Sequence, residues 1–95
     1  MIAWPSKDPD SRIRYWFDAS QLVADEGSPV ASYVLAIDNP PDSSLAFGGD
    51  TRSGSVIEVW LTGGTETLTY VVRCRVTLAN GTIEDLSREL LITPH

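Results

Sequence analysis

A catalytic centre needs a base, a nucleophile or a set of metal ligands, and this chain of 95 residues offers few of them. Its single histidine, His95, is the last residue, where chains fray, and is read neither as a general base nor as a metal ligand. The one cysteine, Cys74, falls on the apolar side of an alternating segment. Nothing near it in sequence would lower its pKa, so it reads as core filler. Asp8 and Asp10 flank Pro9, and Asp50 follows two glycines. Oxygen-rich loops can hold calcium, but neither segment has the EF-hand spacing, and both read as solvated turn acids. Glu84-Asp85 reads as the polar start of a strand. Gly48-Gly49-Asp50 and Gly63-Gly64-Thr65 would cradle phosphate only ahead of a helix; with no helical signal behind them they read as turns. Serines such as Ser53 and Ser55 lack an interior histidine to act as base. The expectation is a non-enzyme with no cofactor, no metal site and no small-molecule substrate.

Residues suited to contact are easier to find. Arg73 and Arg75 lie two apart on the polar side of one segment, and each wants an anionic partner; Glu58, on the expected neighbouring strand, is the candidate. The alternative is a partner-binding spot. Trp16 and Trp60 fall out of phase with the apolar sets of their own segments, so they point outward if those sets fill the core. Exposed indoles are uncommon and are enriched at interface centres. They would also stack on a sugar, a competing use. Trp4 sits with Ile2 and Pro5 in an apolar stretch without alternation, which either folds back over the protein or reaches to a neighbouring subunit. Ile2, Trp4, Pro5, Trp16, Trp60, Arg73 and Arg75 form the candidate interface.

The elements that must position these residues are strands. From Leu68 to Leu78 every even position is apolar and most odd ones are polar, which gives a long strand with one buried face. Asn80-Gly81 predicts a type I′ turn into an antiparallel partner over roughly 82–93. In that partner Leu86, Leu90 and Ile92 share a face while Ile83 and Leu91 fall on the other, which suggests a bulge or a change of partner. Shorter alternations surround Ile13/Tyr15/Phe17, Tyr33/Leu35/Ile37 and Ile57/Val59/Leu61, with a stub at 44–47. Residues 18–26 allow a single helical turn. Two prolines keep residues 1–11 out of an inner strand, so they read as an extended arm before one sandwich domain, 12–95. Six or seven strands with frequent turn signals predict an all-β antiparallel sandwich.

Composition agrees. The charge is −6, from 7 basic and 13 acidic side chains, which argues against a nucleic-acid surface. No apolar run approaches a membrane span, and the first residues lack the pattern of a secretory signal, so a soluble protein made in the cytosol is expected.

Several stretches carry a family likeness: Lys7-Asp8-Pro9-Asp10, Val59-Trp60-Leu61-Thr62-Gly63-Gly64-Thr65, Tyr70-Val71-Val72, Thr77, Asn80-Gly81 and Arg88-Glu89-Leu90-Leu91-Ile92. Together they resemble small structural proteins of tailed bacteriophages, of the fibre–tail adaptor type. The resemblance implies an immunoglobulin-like sandwich, no catalytic residues, and a place in the virion after synthesis in the host cytoplasm. It implies docking to other tail, neck, fibre or capsid subunits, with a homo-oligomer or symmetric ring in the particle. A capsid decoration protein is the alternative. The stretch Asp38–Ser53, with Pro40-Pro41 and two glycines, makes a longer connection than the resemblance leads one to expect.

Overall fold

The computed structural model describes residues 2–94; His95, discounted above as a base, lies outside them. Among the described residues seven strands and one short helix follow in the order β1 Ile2–Ala3, β2 Arg12–Asp18, α1 Ser20–Glu26, β3 Val30–Asp38, β4 Ala46–Ser53, β5 Val56–Thr62, β6 Thr69–Leu78 and β7 Ile83–Leu91. They form two sheets, β1-β7-β6-β3 and β2-β5-β4. Apart from the parallel pair β1–β7, every ladder is antiparallel. This is an all-β, immunoglobulin-like sandwich.

The alternation read from the sequence is what the core uses. Tyr70, Val72, Cys74, Val76 and Leu78 of β6 are all buried, and they meet Tyr15, Phe17, Ile57, Val59 and Leu61 from the other sheet. Both inner faces are therefore apolar, and burying them is the main favourable term in folding.

The helix is longer than the single turn expected. It spans seven residues, starts where the Asp18 carboxylate accepts the Ser20 N–H, and stops at Gly27, whose left-handed φ of 61° ends the coil. None of its residues is buried.

Three readings are corrected. Gly48-Gly49-Asp50 is not a turn: it lies inside β4 as a bulge, where Phe47 pairs with Leu61 and Asp50 with Val59, leaving two residues opposite Trp60 alone. The connection taken to span Asp38–Ser53 is thus only residues 39–45. The β6–β7 turn is not type I′. Asn80 keeps a negative φ and only Gly81 is positive, at 92°, while the Gly81 N–H bonds Leu78 O; Ala79-Asn80-Gly81 is a three-residue loop. The β6–β7 register then runs without a break, so Ile83 and Leu91 are simply exposed and no bulge is needed.

The first residues lie along the outer edge of β7. Ile2 pairs with Arg88 and Ala3 with Glu89, the Trp4 N–H bonds Glu89 O, and Lys7 bridges Ile92. Trp4 then turns inward across the sandwich: its ring stacks on Tyr15 at 4.6 Å and meets Phe17 edge-on at 4.9 Å. The Tyr15 hydroxyl donates to Pro5 O at 2.9 Å. Of the two courses open to this stretch, the structure takes the folded-back one.

Candidate interaction face

On β2 the residues that alternate with the buried Tyr15 and Phe17 are Arg12, Arg14, Trp16 and Asp18. On β5 those that alternate with Ile57, Val59 and Leu61 are Glu58, Trp60 and Thr62. The register sets Arg14 opposite Trp60 and Trp16 opposite Glu58, so the two sets share the outer face of the three-stranded sheet. There the Arg12 guanidinium lies over the Trp60 ring at 4.0 Å, and Arg14 sits between the rings, 5.0 Å from Trp16 and 5.4 Å from Trp60. A cation over an indole face is attracted by its quadrupole, and the stacking holds both long side chains in place. Trp16 is 48% exposed, whereas Trp60 is half-buried beneath the arginines.

Gly48, in the β4 bulge, leaves room beside this stack. A Cβ at Gly48 would come within 3.3 Å of Arg12 Nε and 3.5 Å of Trp60 Cβ, and the Gly48 carbonyl accepts from Arg12 Nη2 at 3.1 Å. Arg12 and Arg14 were not singled out in the sequence. Their signal was available: they share the phase of Trp16 on the same strand. Arg14 also approaches Glu58, at 3.8 Å. The partner proposed for Arg73 and Arg75 is therefore wrong. Glu58 belongs to the other sheet. Arg75 instead holds Asp85 of β7 through two bonds, 2.8 and 3.1 Å, and Arg73 reaches Asp38 of β3 at 3.3 Å. These pairs cross strands on the outer face of the four-stranded sheet, away from the tryptophans.

The remaining candidates are spread out. Ile2 is 62% exposed on β1, Pro5 is exposed, and Trp4 is occupied by its rings' contacts with Tyr15 and Phe17. Cys74 is buried, and burial pushes its thiol up to about 11, too high for a thiolate at neutral pH.

Polar groups that sequence reasoning missed pin the loops. Asp42 accepts from the Ser44 N–H and hydroxyl, from the Thr65 hydroxyl and from the Tyr70 hydroxyl at 2.6 Å. These bonds, that from Thr65 foremost, hold its carboxyl well below the usual range. The Tyr70 oxygen also accepts the Thr65 N–H, five residues back, an arrangement like the tyrosine corner of immunoglobulin sandwiches. At the open side of the sandwich the Tyr33 hydroxyl donates to Asp50, tying β3 to β4 and pushing the phenol up to about 12. Asp8 accepts the Asp10 N–H and makes a tight turn. No group of three or more His, Cys, Asp or Glu gathers among the described residues, and none of the described helices is long and apolar enough to cross a membrane.

A family model described as the podophage GP4 fiber-tail adaptor protein gp77 matches residues 7–92. No curated protein matches the chain. Among solved structures, the PKD domain of KIAA 1837 protein superposes with a TM-score of 0.57 at 19% identity, over 98% of this chain and 84% of that one. At that identity the likeness is one of fold alone.

Proposed function

The chain belongs to the podophage GP4 fibre–tail adaptor family, a structural and not an enzymatic one, and from that premise we propose that it joins a fibre component to the tail through the outer face of the β2-β5-β4 sheet. A single observation supports this face above the others: Arg12, Arg14, Trp16 and Trp60 form one stacked, partly exposed patch on a chain of charge −6. Each indole carries a large apolar area, and covering the part of Trp16 that is still exposed is worth about 1 kcal/mol, with less from the half-buried Trp60. The guanidinium edges, already held in place, lose little freedom when they meet carboxylates or carbonyls on the partner. The fold supplies the platform and the family supplies the setting, a phage tail. Ring symmetry would multiply many such contacts into a firm joint. Arg73 and Arg75 are committed to ion pairs, so the proposed contact is centred on Trp16 and Trp60.

The test is a phage whose only copy of this protein carries R14E and W16A. Both residues are exposed, so the thermal melt should fall only by the lost contacts of Arg14 with the rings and Glu58, about 1 kcal/mol, and the fold should be kept. Particles seen by electron microscopy should retain tails but lack fibres. Normal fibre attachment by these particles overturns the assignment of this face.

A further inference from the structure

A sandwich with two open sheets has four edges, and three of them are protected against pairing. β1 is only two residues long. β2 carries Arg12, Arg14 and Asp18, and its Trp16 carbonyl already accepts the Trp4 indole N–H at 3.3 Å. β4 is broken by the Gly48-Gly49 bulge and carries Asp50 and Arg52. Short length, charge and bulges are the devices by which edges avoid other strands.

β3 has almost none of them. It is the last strand of the four-stranded sheet, and past an irregularity between Val30 and Ser32 it pairs regularly with β6 from Ser32 to Asp38. That stretch, Ser-Tyr-Val-Leu-Ala-Ile-Asp, has no proline, no glycine and one charged side chain at its very end. Among the described residues its backbone bonds run to β6, and none of the loop and turn hydrogen bonds reaches it. In an antiparallel ladder every second residue turns its N–H and C=O away from the partner, so a row of these groups faces outward. Val34 is 64% exposed, and Tyr33, Leu35 and Ile37 are only half-buried at the mouth between the sheets.

We propose that this edge pairs with the same edge of a second copy, antiparallel about Leu35, giving one continuous eight-stranded sheet. Two features select a second copy. The chain is acidic overall, yet Ser32–Ile37 carries no charge of its own, and the carboxylate held at this mouth, that of Asp50, is already bonded by the Tyr33 hydroxyl. The strand is also self-complementary in this register. Ser32 faces Asp38, a hydroxyl donor against a carboxylate; Val34 faces Ala36; Tyr33 faces Ile37; Leu35 faces its own copy. No carboxylate meets another. The apolar inner set, now at the mouth, becomes covered. This edge is separate from the Arg–Trp patch, so the pairing and the tail contact stand or fall independently.

Sedimentation of the whole protein over a dilution series tests it. The wild type should pass from dimer to monomer on dilution, and amide exchange within Ser32–Asp38 should slow as concentration rises. Val34→Glu faces Arg75 within its own sheet, so its melt should be kept; it sets two carboxylates near the two-fold axis, so the dimer should be lost. A monomer at every concentration, a dimer unchanged by V34E, or exchange on β3 indifferent to concentration overturns the proposal. Should V34E fail to fold, the exchange data on the wild type decide alone.

Discussion

Lys7 shows what one side chain can do when burial forces its hand. It is fully buried, and its Nζ donates to the carbonyls of Asp8 and Gly63, each at 2.7 Å. Desolvation lowers its pKa, while Asp8 and Asp10 work against that shift. Lys7→Met keeps the stem but leaves both carbonyls unpaired, and a urea titration should show a loss of about 1–3 kcal/mol. The Lys-Asp-Pro-Asp segment was visible as part of a family likeness, yet its burial was not legible. One of the two acceptors lies 56 residues away, and no local pattern announces such a meeting. The same holds for Asp42, whose bonds to Thr65 and Tyr70 depend on loops brought together only by the closed sandwich. By contrast, the outward set of Trp16 and Trp60 followed from phase alone.

Strands proved readable in proportion to their alternation. β6 obeys it along its whole length, and its boundaries came within a residue. Only the start of β4 was read, as the stub at 44–47, because all eight of its residues are exposed and two adjacent glycines look like a turn. An edge strand with no buried face has no periodic signal to give. The turn between β5 and β6 shows the opposite case, a glycine pair whose necessity is local. Gly63 has φ 78°, and a Cβ there would sit 2.2 Å from Ser44 O. Gly63→Ala should therefore cost at least about 2 kcal/mol, from backbone strain plus the clash. Gly81 also has a positive φ, but a Cβ there meets nothing within 4 Å, so Gly81→Ala should cost only about 1–2 kcal/mol. Thermal melts of the two variants side by side measure the difference.

For the molecule as a whole, fold class was legible, and so was the one adjacency that a short turn announces, β6 beside β7; the other neighbours were not. Alternation says which side of a strand is wet; it does not say which strand lies beside it, and Glu58 was set next to Arg75 for that reason. The assembled protein places several carboxylates against donors: Asp42 under the hydroxyls of Thr65, Tyr70 and Ser44, Asp85 against Arg75, Asp18 against Ser20. All three are held below the ordinary carboxyl range. In the unfolded chain each takes up its proton near about pH 4. Below that point the unfolded state binds protons that the folded state refuses, so stability is fullest above it and falls as the pH drops further. Denaturant midpoints should decline from about pH 5 to about pH 2.5, and Asp42→Asn should flatten that decline. An equal slope in the variant would assign the effect to the other carboxylates.

The parallel course of β1 beside β7 bears on how this protein would carry a mechanical load. Because the two run in the same direction, tension drawn through the first and last described segments slides one along the other. The bonds from Trp4 to Glu89, from Lys7 to Leu91 and from Thr93 to Lys7 are then strained together, lengthwise. They cannot be peeled open one after another, as a hairpin is. In the proposed role between fibre and tail, clasping the first and last described segments in shear would keep the sandwich shut under pull.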